Sequence, residues 1–208
     1  MKKGKFITFE GCEGSGKSTQ LSLFKNYLEE NKIDYIFVRE PGGTAISEKI
    51  RNIILDVSNK EMTSECEALL YASARAQLVK EKILPALEEG KLVFCDRFID
   101  SSFAYQAYAR GLGMEYVSSI NSYAINNCMP DCTLFLNISP DEAFKRKGGA
   151  DAGDRLEQVG IEFHRKVFLG YTDLANKNPS RIEKINCLGT REQTHLNIIN
   201  ALKTRGVL

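Results

Sequence analysis

A stretch near the start of the sequence combines glycines, hydroxyl side chains and a lysine in the pattern G-x-x-x-x-G-K-[ST]. It consists of Gly11, Cys12, Glu13, Gly14, Ser15, Gly16, Lys17, Ser18 and Thr19. The glycines allow successive backbone N–H groups to point inward at a dense anion such as a triphosphate. Lys17 then reaches the β- and γ-phosphates, and the Ser18 hydroxyl is placed to ligate Mg²⁺. A strand-like run precedes the stretch and a helical pattern follows it, so the sequence predicts a nucleotide-binding loop.

A second candidate for chemistry is the carboxylate that ends the apolar run Leu92–Asp96. A buried strand ending in Asp is the Walker B pattern, in which the carboxylate faces the bound magnesium. The pattern is weak alone, because many strands end in this way, but it becomes informative downstream of a phosphate-binding loop. Arg97 follows directly, at the strand end where doubly wound sheets place their ligands. We therefore predict a Mg²⁺ site formed by Ser18 and Asp96.

Arginines stand at several separate points of the chain. They are Arg39, Arg51, Arg75, Arg97 and Arg155. A nucleotide switch needs only enough cations for its own phosphates, whereas a phosphoryl-transfer enzyme must also hold a second anion and neutralise the group in transit. Arginine suits both tasks because its forked guanidinium matches phosphate oxygens. The arginines therefore favour a kinase that acts on a phosphorylated acceptor, without identifying that acceptor.

The elements that must position these side chains alternate between strand-like runs and helical patterns, and no linker or repeat divides them. This order predicts an α/β fold with a mostly parallel sheet and helices on both faces, in one domain over 1–208. Ser64 and Glu67 have the spacing of a capping box and predict the start of a long helix, which Pro85 kinks. A basic, glycine-punctuated segment at about 145–156 predicts a lid that carries cations over the phosphates.

The composition excludes several classes of protein. The net charge is +1, so the chain has no general attraction for nucleic acid or for an anionic membrane, and we expect neither as a partner. The six cysteines include no C-x-x-C pair and there are only two histidines, which argues against a zinc site. Because the sequence has no signal-like or bilayer-length apolar run, we expect a cytoplasmic protein with reduced thiols.

Several stretches together resemble the bacterial thymidylate kinases over nearly the whole chain. They lie at 9–20, 39–44, 69–75, 96–98, 101–106, 130–131 with the following strand, and 154–157. The phosphate-binding loop is shared by many families, but its combination with R-E-P-G-G-T, D-R-F-x-D-S-S-x-A-Y-Q and D-R-L-E is specific. The resemblance implies a three-layer P-loop NTPase fold with a mostly parallel five-stranded sheet and a short lid. It also implies transfer of the γ-phosphoryl group of ATP to dTMP with Mg²⁺, in dTTP synthesis.

The resemblance further implies roles for individual side chains, with ATP held by residues 11–19. The implied catalytic residues are Glu13, Lys17, Asp96, Arg97 and Arg155. The implied dTMP-binding residues are Glu13, Arg39, Arg51, Tyr71, Arg75, Arg97, Ser102, Tyr105 and Gln106. Tyr71 would stack on the thymine ring, with Ser102 and Gln106 along its edge. Tyr105 would crowd the 2′ position of the sugar and so favour deoxyribose.

The cation that stabilises the transferring phosphoryl group is expected from the lid, because the phosphate-binding loop has no arginine between Gly11 and Gly16. Arg155 is the first candidate, followed by Arg146 and Lys147. Members of the family are generally homodimers, so the resemblance also implies a homodimer, which the apolar stripes of the helices permit.

Two alternative functions remain open on the residues alone. The first is another nucleoside-monophosphate kinase, for adenylate, guanylate, cytidylate or uridylate, which would differ only in its acceptor pocket. The second is a non-catalytic nucleotide switch or binding module. The sequence lacks the N-K-x-D signature of GTPases, and a switch gives no reason for Arg75 and Arg97.

Overall fold

The strands of the protein form one parallel sheet, which the computed structural model describes for residues 4–147 and 153–208. They are β1 (Phe6–Glu10), β2 (Tyr35–Arg39), β3 (Leu92–Asp96), β4 (Cys132–Asn137) and β5 (Ile182–Asn186). Their order is β2-β3-β1-β4-β5, and every neighbouring pair is parallel. Because β1 and β3 are neighbours, the loops that follow them leave the carboxyl edge of the sheet side by side. The predicted α/β architecture is confirmed.

Helices connect the strands and cover both faces of the sheet. They are α1 (Lys17–Glu30), α2 (Ala45–Leu55), α3 (Ser64–Leu78), α4 (Leu84–Glu88), α5 (Ile99–Ser102), α6 (Met114–Ile120), α7 (Ser122–Asn127), α8 (Pro140–Lys147), α9 (Ile161–Lys177) and α10 (Arg191–Thr204). The π-helical segments Val79–Ile83 and Phe103–Ala109 continue α3 and α5, and the 3-10 turn Glu157–Val159 precedes α9. The kink predicted at Pro85 therefore takes the form of a π-helical turn just before it. No helix within the described residues has the length and apolar character needed to span a membrane.

Alternate side chains of the strands supply two separate core layers. On one face, Phe6 and Val93 pack against α3, α9 and the π-helical segments. On the other face, Ile7 and Phe94 pack against α1 and α10. All four side chains are at most 1% exposed, and full burial of each contributes about 1.5–3 kcal/mol. The sheet is therefore held from both sides, which fixes the position of its carboxyl edge.

The start of α3 differs from the predicted capping box. The N-cap is Thr63, whose side-chain oxygen accepts a hydrogen bond from the N–H of Cys66. Ser64 is the first helical residue, and Glu67, in the fourth position, is buried and binds arginine side chains instead of the helix end. The prediction of a helix here is confirmed, but the assignment of Ser64 and Glu67 as its cap is wrong.

Candidate active site

The turn between β1 and α1 has the backbone shape of an anion-binding loop. Gly14 and Gly16 have φ angles of 71° and 88°, in the left-handed region that side chains with a Cβ rarely adopt. α1 begins at Lys17, directly after the loop, so its free N–H groups and the positive end of its dipole face the concavity of the turn. The loop predicted from the sequence therefore has the geometry that binds phosphate.

Lys17 lies at the mouth of this loop and is 8% exposed. Its Nζ donates to the carbonyl oxygen of Gly11, at 3.3 Å. Burial and the neighbouring Arg97 guanidinium lower the pKa of Lys17, although Glu13 and Asp96 act in the opposite direction. A bound polyphosphate would place negative charge beside this buried ammonium group and so stabilise its charged form.

A cavity of about 370 Å³ opens over the phosphate-binding loop. Its walls are formed by residues 13–19 and by Arg146 of α8. A cation from α8 thus shares this cavity with the loop, an arrangement suited to a chain of phosphates.

A second cavity, of about 200 Å³, lies between the phosphate-binding loop and the loops that follow β2 and β3. Its walls include the predicted dTMP-binding residues Glu13, Arg39, Arg51, Tyr71, Arg97, Tyr105 and Gln106. The two cavities share Glu13, Lys17 and Ser18. These three residues therefore mark a junction at which a ligand in one cavity can meet a ligand in the other.

Arg97 lies at this junction, in a backbone conformation that is rare for residues other than glycine, with φ of 64°. Its guanidinium donates to the Glu13 carboxylate and to Tyr171 Oη, and its central carbon lies 5.2 Å from the ring centroid of Tyr105. Burial raises the pKa of Glu13, but the charges of Arg97 and Lys17 outweigh it and lower the pKa to about 2. The junction thus carries two cations and an ionised carboxylate.

Asp96 ends β3 and lines the second cavity together with Ser18. Its Oδ1 is buried and has no hydrogen-bond partner among the described residues. Carboxylate and hydroxyl oxygens are ligands that Mg²⁺ prefers, and Mg²⁺ is commonly held by one or two side chains together with substrate phosphates. In the described ranges no cluster of three or more His, Cys, Asp or Glu side chains could hold a metal by itself. The residues present fit the predicted Mg²⁺ site.

The outer wall of the second cavity carries further predicted dTMP-binding residues. Arg39 Nη2 lies 2.9 Å from Glu48 Oε2, and Arg51 Nη1 donates to the carbonyl oxygen of Pro41 at 2.9 Å. Tyr71 projects from α3 into the same cavity, and burial raises the pKa of its hydroxyl. An aromatic ring and two guanidinium groups thus line the cavity, as an aromatic base and its phosphate would require.

Arg75 and Ser102 are buried behind this wall, where they are 1% and 2% exposed. The Arg75 guanidinium donates hydrogen bonds to Glu40 Oε2, Ser102 Oγ, Asn121 Oδ1 and the Phe98 carbonyl oxygen. Its Nη2 also lies 2.6 Å from Glu40 Oε2, so the two residues form an ion pair. Burial raises the pKa of Glu40 to about 7, against the lowering effect of Arg75. Glu40 lines the second cavity, and Arg75 binds its carboxylate from behind. Ser102 in turn accepts a hydrogen bond from Arg75.

Arg155 is held on the side of the second cavity. Its Nη2 lies 2.7 Å from Glu67 Oε2, its Nε donates to the Ile54 carbonyl oxygen at 2.8 Å, and its backbone N–H donates to Leu55. These contacts attach the end of the predicted lid to α2 and α3. The middle of that lid, 148–152, and the side chain of Lys147 lie outside the described residues.

Two buried carboxylates beside the site were missed by reasoning from the sequence. Glu10, the last residue of β1, accepts hydrogen bonds from the Phe98 N–H and from the hydroxyls of Ser101 and Tyr171. It therefore supports the loop that carries Arg97. An acidic residue inside an apolar strand was the available signal, because a buried carboxylate must find donors. The second is Glu67, whose spacing was interpreted as a helix cap.

Comparisons with known proteins were consistent with one another. Residues 9–198 match the family model described as thymidylate kinase. The chain is 51% identical over 203 residues to a thymidylate kinase of Finegoldia magna, covering 98% of this chain and 100% of the relative. It is 52% identical over 188 residues to one of Clostridium novyi, covering 89% and 92% of the two chains.

A solved structure agrees with these relatives. The crystal structure of thymidylate kinase from Ehrlichia chaffeensis has a TM-score of 0.77 with this chain at 33% identity, covering 97% of this chain and 99% of the other. The family match, the similar relatives and the shared fold lead to one conclusion: the chain belongs to the thymidylate kinase family.

Proposed function

We propose that this enzyme transfers the γ-phosphoryl group of ATP to dTMP, giving dTDP and ADP, as the family to which it belongs does on the route to dTTP. The observation that carries this proposal is the junction of the two cavities at Glu13, Lys17 and Ser18. A donor in the phosphate-binding loop and a monophosphate in the second cavity would meet there. Phosphoryl transfer depends mainly on such positioning and on stabilisation of charge.

ATP binds through residues 11–19. Backbone N–H groups of the loop and of the first turn of α1 hold the phosphates, and Lys17 stabilises the charge on the γ-phosphate. Two observations support this assignment. Gly14 and Gly16 have left-handed backbone conformations, and the buried ammonium group of Lys17 lies beside the Gly11 carbonyl oxygen, where a bound anion would stabilise its charge.

Ser18 and Asp96 would hold Mg²⁺, for which the unpartnered Oδ1 of Asp96 is the support. The ion would supply positive charge that offsets the charge of the phosphates. Ser18 lines both cavities and is therefore near the donor and the acceptor alike.

dTMP binds in the second cavity with its phosphate against Arg97. The carboxylate of Glu13 holds this guanidinium at the junction and lies near the sugar hydroxyl of dTMP, while Tyr105 packs beside the sugar. Tyr71 stacks on the thymine ring and Gln106 faces the edge of the base.

Other predicted dTMP-binding residues act less directly. Arg39 and Arg51 supply positive charge at the wall of the cavity. Arg75 and Ser102 form its support, since Nε, Nη1 and Nη2 of Arg75 already donate to acceptors in the protein. A direct contact between Arg75 and dTMP would compete with these hydrogen bonds.

The lid spans about 145–156 and supplies the cation for the transferring phosphoryl group. Arg146 is the better candidate for this role than Arg155, because Arg146 lines the cavity over the phosphate-binding loop whereas Arg155 is bound by Glu67 on the acceptor side. Lys147 stays a third candidate. Arg155 instead fixes the end of the lid to the body of the protein.

We further propose a single kinase domain over 1–208 that forms a homodimer in the cytoplasm. Ile46 and Ile53 are seven residues apart on α2 and exposed, as is Leu69 on the adjoining α3. Large apolar side chains grouped on one surface are typical of a protein interface. The exposed thiol of Cys66 suits a reducing compartment. Neither nucleic acid nor membrane is expected as a partner.

A coupled assay of ADP release across nucleoside monophosphates tests the function. We expect saturable turnover of dTMP far above that of dUMP, dCMP and AMP, and a preference for a ribonucleotide would contradict the proposal. The nucleotide-switch alternative is tested by Lys17→Ala, which should abolish transfer to dTMP. ATP binding without any transfer in the unaltered chain would instead support a switch.

A further inference from the structure

Glu67 is a buried carboxylate at the point where the acceptor cavity, α3 and the end of the lid meet. It is 1% exposed, and apart from holding Arg155 it has no role in the proposed reaction. Oε1 accepts a hydrogen bond from Gln106 Nε2 at 2.9 Å and a longer one from Arg110 Nε at 3.3 Å. Oε2 accepts from Arg110 Nη2 at 3.0 Å and from Arg155 Nη2 at 2.7 Å. Both oxygens are thus occupied by three donor side chains from two different parts of the chain.

These donors keep Glu67 ionised. Burial raises its pKa, but the hydrogen bonds and charge of Arg110, with the hydrogen bonds of Gln106 and Arg155, bring the pKa below its ordinary value. An ionised carboxylate can only accept hydrogen bonds. The group of Gln106 that faces Glu67 must therefore be its NH₂, and the orientation of this amide is fixed by the chemistry of its partner.

Gln106 also lines the acceptor cavity. One N–H of Gln106 is held by Glu67, and no donor among the described residues binds the amide oxygen, which leaves that oxygen to accept a hydrogen bond from a base in the cavity. Thymine has a donor at N3–H and an acceptor at O4. Cytosine has the reverse pattern, an acceptor at N3 and a donor at its exocyclic amine. A fixed acceptor on Gln106 matches N3–H of thymine and opposes the N3 lone pair of cytosine.

We propose that Glu67 is a specificity-determining positioning residue, which holds the Gln106 amide in one orientation so that the acceptor cavity selects pyrimidines with an N3–H donor. The inference rests on the proposed function, because it takes a pyrimidine monophosphate as the acceptor. Specificity then has two sources. Thymine N3–H donates a hydrogen bond to the Gln106 amide oxygen, whereas the N3 lone pair of cytosine is repelled by that oxygen and left unpaired.

A purely structural role for Glu67 predicts a different outcome. Its ion pairs with Arg110 and Arg155 hold helices together, and their loss alone would weaken the binding of every acceptor alike. Thymine and uracil carry the same groups at N3 and O4 and differ only in the methyl group at C5. Orientation of Gln106 must therefore affect the discrimination of dTMP from dCMP and leave the discrimination of dTMP from dUMP unchanged.

The test compares kcat/KM for dTMP, dCMP and dUMP in four proteins: unaltered enzyme, Glu67→Gln, Gln106→Leu and the double variant. A glutamine at 67 offers both a donor and an acceptor, so it no longer fixes the amide of Gln106. We expect Glu67→Gln to lower the dTMP/dCMP ratio by about tenfold, the worth of one hydrogen bond, with an unchanged dTMP/dUMP ratio. Glu65→Gln, an exposed carboxylate on the same helix, is the matched control and should change neither ratio.

Gln106→Leu keeps the proposal testable if Glu67→Gln folds poorly. It should lower the dTMP/dCMP ratio to the same extent, and adding Glu67→Gln to it should change that ratio by less than about twofold, because the two residues act as one unit. An unchanged dTMP/dCMP ratio in either single variant, or equal loss of both ratios, overturns the inference. Failure of the proposed function is recognised separately, by an unaltered enzyme that does not phosphorylate dTMP.

Discussion

Arg75 Nη2 lies 2.6 Å from Glu40 Oε2, and the two side chains are 1% and 3% exposed. Removing two charges from water costs several kcal/mol each, and further hydrogen bonds offset part of this cost. Arg75 has such hydrogen bonds to Ser102, Asn121 and the Phe98 carbonyl oxygen, whereas Glu40 Oε1 is buried without a hydrogen-bond partner among the described residues. The pair therefore joins α3 to the loops after β2 and β3 behind the acceptor cavity.

Loss of Arg75 should destabilise the protein strongly. Arg75→Met leaves Glu40 buried without its cation, and we expect the free energy of unfolding to fall by about 3–5 kcal/mol in urea titrations followed by circular dichroism. Arg39→Met is the matched control, because its pair with Glu48 is nearly half exposed and should contribute at most about 1 kcal/mol. An equal decrease in the free energy of unfolding of the two variants would show that the buried pair contributes no more to stability than the exposed pair.

Glu40 should also make stability depend on pH. Burial raises its pKa to about 7 in the folded protein, against the ordinary 4.5. The folded state then binds more protons than the unfolded state between these values, so the contribution of Glu40 to stability is complete below pH 4.5 and is lost as pH rises to 7. Glu40→Gln should flatten this part of the stability profile. If the free energy of unfolding changed with pH equally in Glu40→Gln and in the unaltered protein, the pH dependence would belong to another group.

The parts of the fold that follow from local pattern were predictable from the sequence. The phosphate-binding loop and the strand that ends at Asp96 depend on residues close together in the chain, and the structure has both of them. The residues around the second cavity were predicted from the resemblance to bacterial thymidylate kinases. Such a resemblance implies which distant segments of the chain come together, whereas a local pattern does not.

Pairing between distant charged residues was not predictable. Glu67 has the spacing of a helix cap, but its partners Arg110 and Arg155 are separated from it by 43 and 88 positions. Arg75 shares a helix face with Tyr71, and its partners from distant segments, Glu40 and Asn121 among them, explain why it is buried whereas Tyr71 lines the cavity. Which cation meets which carboxylate depends on the packing of the sheet and helices, and no local pattern contains this information.

Arg97 should be needed for transfer more than for ATP binding. Arg97→Ala removes the cation that binds Glu13 and that we propose binds the acceptor phosphate, and we expect kcat/KM for dTMP to fall on the order of a thousandfold. The dissociation constant of ATP, measured by calorimetry, should change by less than about threefold, since Arg97 is absent from the wall of the donor cavity as described. Arg191→Ala, at an exposed pair with Glu192, is the control. Unchanged transfer in Arg97→Ala would refute the role assigned to it.

The two arginines at the ends of the lid should have separable effects. Arg146 lines the cavity over the phosphate-binding loop, so Arg146→Ala should lower kcat by about a hundredfold through lost stabilisation of the transferring phosphoryl group. The free energy of unfolding should stay within about 0.5 kcal/mol of the unaltered protein, because such a change affects no packed core. Lys145→Ala, on the exposed side of α8, is the control for a lost positive charge nearby.

Arg155→Ala should instead reduce stability by about 1–3 kcal/mol, since it removes one of the donors that satisfy the buried Glu67 and frees the Ile54 carbonyl oxygen. Its kcat should fall less than that of Arg146→Ala, because its guanidinium is bound on the acceptor side. Single-turnover rates with saturating ATP and dTMP, measured beside urea unfolding, separate the two effects. A larger loss of kcat in Arg155→Ala than in Arg146→Ala would mean that Arg155 leaves Glu67 when the substrates bind and moves to the phosphates.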